Sequence, residues 1–195
     1  DSPKYAAFEG KVFETSVGRL LFNSILPKDF QYLNKEIDRK AMSKIVDDLL
    51  ERFGVEKMPP ILDKIKQFGF YYSTRSGITW GIDDIKVPEG KGEVIEAARA
   101  RADEARDQYN EGLLSGDELY RKHIEIWHSA KDEVEKLIPG SLSDHGSVHD
   151  MWRSGARGSL SQITQMAGMK GLIASTSGQT VEHPIISSMK EGLTP

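Results

Sequence analysis

KGEVIEAARARADEARDQYNEGLLSGDELYRKHIEIWHSAKDEVEKL, residues 91–137, decides how this chain folds. From Glu93 onward its only breakers are Gly112 and Gly116. Helical spacing runs on both sides of them: Val94, Ala98, Ala102, Ala105 and Tyr109, then Leu119, His123, Ile126, Ala130, Val134 and Leu137. The pattern predicts an antiparallel helical hairpin over 91–137. Arms of roughly 20 residues at 1.5 Å per residue extend about 30 Å, which carries the tip Gly112-Leu-Leu-Ser-Gly116 well away from a core.

The tip places Leu113 and Leu114 between glycines, followed by Glu118, Tyr120, Arg121 and Lys122. An apolar end with mixed charge beside it suits docking of another protein. The plainer alternative is that the leucines fold back to close the hairpin, since scattered apolar surface residues are ordinary. Trp127 and Tyr109 read as packing residues.

Upstream, Val17-Gly-Arg-Leu-Leu-Phe reads as a short strand or helix entering a turn. Ile37, Ala41, Ile45, Leu49 and Phe53 then fall four apart, with Asn34 as N-cap and Gly54 past the end, which predicts a helix over about 34–54. Pro59-Pro60 opens a second helix, over 60–69, whose buried stripe is Ile61, Leu62, Ile65 and Phe68. Phe70-Tyr-Tyr and Ile78-Thr-Trp-Gly-Ile, parted by Ser76-Gly77, read as a short strand pair. The expected class is therefore mainly α, an α+β chain with small strands, in three segments: 1–90, the hairpin 91–137, and 138–195. Within the last, 138–152 reads as a loop and Ala174–Gln179 as the turn of a short hairpin.

The second informative stretch is Arg153-Ser-Gly-Ala-Arg-Gly-Ser-Leu-Ser-Gln-Ile-Thr-Gln-Met-Ala-Gly-Met-Lys-Gly-Leu172, with three cations and no acid. Gly155 and Gly158 flank Ala156-Arg157, and Gly168 and Gly171 flank Met169-Lys170, so the backbone is free to approach another chain or a ligand closely. Arg157 leads the candidates, since a guanidinium offers paired donors to phosphate oxygens, and Arg153 and Lys170 can assist. Against this stands the ordinary use of arginine in a structural ion pair. Met166, Met169, Leu172 and Ile173 equally fit a helix face in a core.

Other chemistry finds little footing. Across 195 residues, 38% hydrophobic, there is no cysteine, so disulfides and thiolate sites are excluded. Net charge is −4; residues 91–137 carry 12 acidic against 8 basic side chains and hold the whole excess, which speaks against duplex binding by this piece alone. Asp83-Asp84 beside Gly81 reads as a turn or helix cap rather than a metal pair. His145 and His149 lie four apart, but Gly146 interrupts a helix and no further ligands join them. No nucleophile elbow and no phosphate-cradling Gly-rich loop ending in Lys-Ser or Lys-Thr occurs. There is no long apolar run and no leader, so neither membrane nor export is expected. The chain opens Asp1-Ser-Pro and closes Gly-Leu-Thr-Pro195, which reads as an excised fragment.

Ser154-Gly-Ala-Arg-Gly-Ser159 followed by Gln165-Met-Ala-Gly-Met-Lys-Gly-Leu172 resembles the largest subunit (β′) of bacterial RNA polymerase just before its bridge helix. The likeness continues, in order, through Thr15-Ser-Val-Gly-Arg-Leu-Leu-Phe-Asn23, Arg75-Ser-Gly77, Gly81-Ile-Asp-Asp84 and Ile124-Glu-Ile-Trp127. Such a resemblance implies a pore and funnel segment lining the secondary channel for nucleoside triphosphates, with Arg157, Arg153 and Lys170 on their approach. It implies that Met169 and Ile173 support the bridge helix and trigger loop, and that the hairpin is the rim-helix pair where Gre-type cleavage factors and coiled-coil regulators dock. Thr164 and Lys170 stand where many members of that family carry arginine.

The implied partners are the β, α and ω subunits, the rest of β′ and, in the assembled enzyme only, DNA and RNA. The activity implied is that of a nucleotidyltransferase, in the bacterial cytoplasm and nucleoid or a plastid. The family's magnesium-holding aspartate triplet is missing here, so the isolated piece is expected to be inactive and to bind no cofactor, with magnesium and structural zinc held elsewhere. The rival reading is a stand-alone helical adaptor that binds partners through its hairpin.

Overall fold

Alternating breakers and amphipathic runs produce a chain of short and long helices. The computed structural model describes residues 3–143 and 145–193, and its helices are α1 Val17–Ile25, α2 Arg39–Phe53, α3 Met58–Ser76, α4 Lys91–Asn110, α5 Gly116–Ser141, α6 Ser147–Arg153 and α7 Leu160–Ile163. A π-turn, Thr164–Gly168, prolongs α7. The termini read above as cut ends lie, at Asp1-Ser2 and Thr194-Pro195, outside the described residues, as does Asp144. The mainly helical class holds. Strand pairing among the described residues is limited to two isolated antiparallel bridges, Gly171 with Ile185 and Ala174 with Thr180. The chain divides into two compact units: one runs up to Thr79 and includes Ser154–Ala156, the other holds Trp80–Arg153 and the residues from Arg157 onward.

In the first unit, Phe22, Leu26, Phe30, Leu33, Ile45, Leu49 and Met58 form the core. The segment that sequence left open between strand and helix is α1, capped by Ser16, whose hydroxyl accepts from the Arg19 amide. Buried Asn23 ties α1 to the following loop, donating to Leu33 O (2.9 Å) and accepting from Leu33 N (2.8 Å). α2 starts at Arg39, not near Asn34. The Asp38 carboxylate caps it by accepting from the Ala41 amide at 2.7 Å, while Asn34 is occupied with Thr15, Arg19 and the Glu14 carbonyl.

α3 runs seven residues past its expected end, so Phe70-Tyr-Tyr is helical and no strand pair forms there. Gly69 costs a helix about 1 kcal/mol. Ring contacts beside it offset the cost: Phe68 meets Tyr72 across the glycine at 4.6 Å and Phe22 of α1 at 5.9 Å. Gly77, with φ 64°, ends the helix in the left-handed conformation.

In the second unit α4 and α5 form the antiparallel hairpin around Ile95, Ala98, Ala102, Ala105, Ile126, Trp127, Ala130 and Val134. Small alanines on α4 let the helices approach closely, and the larger side chains come from α5. Tyr109, placed in the stripe by spacing, is instead exposed. α5 passes through Pro139 and Gly140, and α6 covers 147–153, so most of the expected loop 138–152 is helical. Proline removes only one donor near the end of α5. Fully buried Ile138 and buried Leu142 hold that turn in a second cluster with Ile85, Val148, Ile163 and Ala167. No helix among the described residues is long and apolar enough to cross a membrane.

Candidate functional site

Two places within the second unit carry the residues singled out by sequence: the Arg157 loop, and the hairpin with the ribbon that runs beside it. At the first, α6 ends at Arg153 and α7 begins after Ser159. Ser159 and Gln162 cap α7 reciprocally: the Ser159 amide donates to Gln162 Oε1 at 2.9 Å and the Gln162 amide to Ser159 Oγ at 3.2 Å. Between these helices Gly155 (φ 74°) lies inside the turn that brings the Arg157 amide within 3.4 Å of Met151 O, and Gly158 (φ 90°) redirects the chain after Arg157.

Arg157 is exposed and lines a cavity of about 420 Å³ whose other walls include Trp80, Ile85, Val148, Trp152, Ile163 and Met166. The side chain is thus a solvent-exposed cation at the edge of a largely apolar cavity, free to offer paired donors to an anion. Arg153 and Lys170 do not line that cavity. Arg153 closes α6, while Lys170 is half-buried beyond the π-turn, its amide donating to Ser187 O at 3.3 Å.

Three of the four glycines expected to admit a ligand or second chain serve packing within the protein instead. A Cβ on Gly155 would lie 3.0 Å from Arg39 Cβ, on Gly168 2.7 Å from Val134 Cγ1, and on Gly171 3.0 Å from Lys131 Cδ. Only Gly158 has open space around it. Met169 is fully buried in the hairpin core, so it has no surface to offer a neighbouring segment, whereas Ile173 is 38% exposed. Thr164 is also fully buried, its hydroxyl donating to Leu160 O at 2.9 Å; a cation at this position would enter the interior rather than a channel.

The hairpin tip is open. Leu113 is 68% exposed and Leu114 half-buried, so one leucine folds back and the other does not. Ser115 and Glu118 form a capping box: the Ser115 amide donates to Glu118 Oε2 at 2.8 Å and its hydroxyl at 2.7 Å. Those two donors from Ser115 hold the Glu118 carboxyl below its usual value. Lys122 crosses to α4, donating to Gln108 Oε1 at 2.9 Å, and Arg121 is exposed. Tyr120 is half-buried, and its hydroxyl donates to Thr180 O at 2.9 Å.

Lys91 is buried at the base of α4 and pairs with Glu191, which also accepts from the Ser188 amide and hydroxyl. Lys190 pairs with Asp83 at 2.8 Å. Asp84 Oδ2 accepts from the Gly81 amide at 2.7 Å, a cap as expected. Spacing missed the Tyr120–Thr180, Lys91–Glu191 and Lys190–Asp83 contacts because their partners lie 60, 100 and 107 residues apart in the chain. Among the described residues no cluster of three or more His, Asp or Glu is gathered that could hold a metal ion.

Two family models match: "RNA polymerase Rpb1, domain 3" over residues 3–85 and "RNA polymerase Rpb1, domain 4" over residues 101–190. The DNA-directed RNA polymerase subunit beta′ of Desulforamulus reducens is 43% identical over 185 residues, covering 95% of this chain and 16% of that protein. The chain belongs to the RNA polymerase β′ family. The corresponding subunit of Pelotomaculum thermopropionicum is 42% identical, over 93% of this chain and 16% of the relative, and that of Kineococcus radiotolerans 41%, over 93% and 14%. The chain therefore spans about a sixth of the length of these β′ relatives. One model falls largely on the first compact unit and the other largely on the second.

Proposed function

We propose that this chain is the part of a β′ subunit that walls the secondary channel of a DNA-directed RNA polymerase, with its hairpin tip as the docking point for regulatory proteins. The observation that carries the reading is the tip itself. A capped helix start presents Leu113 to solvent at 68% exposure, with Glu118 and Arg121 exposed nearby. An apolar anchor rimmed by charge is the usual anatomy of a protein-binding surface.

On this reading Arg157 attracts and orients the triphosphate of an incoming nucleotide, and the magnesium chemistry belongs to other parts of the polymerase. Its exposed guanidinium at the mouth of that cavity can make charge-assisted, paired hydrogen bonds to phosphate oxygens. Ile173 offers exposed apolar surface to a neighbouring segment, and Met169 supports it from within the hairpin core. The other partners are the remaining polymerase subunits and Gre-type factors. The test is an assembled polymerase carrying Leu113→Asp: factor-stimulated transcript cleavage should fall about tenfold with synthesis retained, as loss of a central anchor costs upwards of 1 kcal/mol. An unchanged response to the factor would remove the tip from the docking surface.

A further inference from the structure

The segment after the π-turn is a narrow ribbon. Gly171 and Ile185 exchange backbone bonds at 2.9 Å, Val181 N donates to Ile173 O at 2.8 Å, and Ser175 N to Gln179 O at 2.7 Å. Its root is fastened to the hairpin by Met169 in the core and by Gly168 against Val134. Beyond the root most of the ribbon is exposed: Ile173, Ala174 and Thr176–Gln179 all face solvent. Ala174 bridges Thr180, so both stand at the ribbon's far end, and there Tyr120 reaches it.

The lengths agree. Val134 to Tyr120 is about 21 Å of α-helix, and Met169 to Ala174 is about 17 Å of extended chain. The ribbon therefore lies along α5, and at its far end the Tyr120 hydroxyl ties it to that helix.

We propose that Tyr120 is a positioning residue that clamps the far end of the 171–185 ribbon to α5. Tyr120 sits five residues from Ser115, the N-cap at the hairpin tip. A protein that engages the tip and shifts the first turns of α5 thereby moves the ribbon, and with it the exposed Ile173. Tyr120 acts through the Thr180 carbonyl rather than through contact with a docked partner, which is how it differs from Leu113.

The test is hydrogen exchange by mass spectrometry on the full chain carrying Tyr120→Phe, which keeps the ring and removes only the hydroxyl. Peptides holding the Ser175 and Val181 amides should exchange roughly fivefold faster, the factor expected for one ordinary hydrogen bond, while peptides from the α4–α5 core keep their rates. Unchanged exchange across 171–185 would overturn the clamp. So would acceleration spread evenly through α5, which would make Tyr120 a support for its own helix. A second arm rests on the polymerase reading: in the assembled enzyme Tyr120→Phe should slow nucleotide addition at least twofold. Faster ribbon exchange with unaltered addition would leave the clamp standing and count against the ribbon's role in synthesis.

Discussion

Gly168 is the position where a single atom matters most. A Cβ there would lie 2.7 Å from Val134 Cγ1 and 3.3 Å from Ile138 Cδ1, both fully buried side chains of α5. Gly168→Ala should destabilise the second unit by about 1–3 kcal/mol, the usual cost of overpacking, measurable as a lower midpoint in urea with an unchanged slope. Glu191 sets an acid limit. Desolvation raises its carboxyl, but hydrogen bonds from Lys91 and Ser188 outweigh that, and the net value lies below the ordinary 4.5. A carboxylate lowered in the folded state stabilises fully above its unfolded value and loses that contribution as pH falls through the folded one. Glu191→Gln should therefore flatten the fall of Tm below about pH 5, with wild type and variant converging in acid. Equal slopes would show that Lys91 adds nothing to folding through this carboxylate. The glycine-rich spelling 153–172 was legible as a place of close backbone approach. Which atoms approach was not, because Val134 and Lys131 come from a helix more than thirty residues earlier.

The hairpin is the element that periodicity read best, since a stripe of apolar residues every three or four positions has no other way to be buried. Its ends were read less well: α5 continues to Ser141 because buried Ile138 and Leu142 reward the extra turn despite Pro139. The capping box at Ser115 makes a direct prediction. Ser115→Ala should cost about 1 kcal/mol and loosen the start of α5, seen as faster amide exchange over residues 116–119. In α3 the aromatic run 70–72 has the composition of a strand, yet it is helical, since the Phe68–Tyr72 contact and the Arg75–Tyr71 bond at 3.0 Å both join residues four apart. Local propensity lost there to packing one turn away.

The two compact units, one with its core on Leu49 and Phe30 and the other with clusters on Val134 and Met169 and on Ile85 and Ile138, predict two unfolding transitions. Leu49→Ala should cost about 2–5 kcal/mol, which lowers the first unit's midpoint by roughly 10 °C or more. Scanning calorimetry should then find the other transition unmoved, whereas a single cooperative peak shifting as a whole would contradict independent units. Residue order alone was enough to establish family membership, the helical class, the hairpin and its leucine tip, because each rests on spacing within a few turns or on motifs in fixed order. Folding in three dimensions settled the rest: that Met169 and Thr164 are interior, that Arg157 stands at an apolar cavity, and that Tyr120 serves a ribbon sixty residues away. Burial and long-range hydrogen bonds depend on which distant surfaces meet, and periodicity carries no information about that.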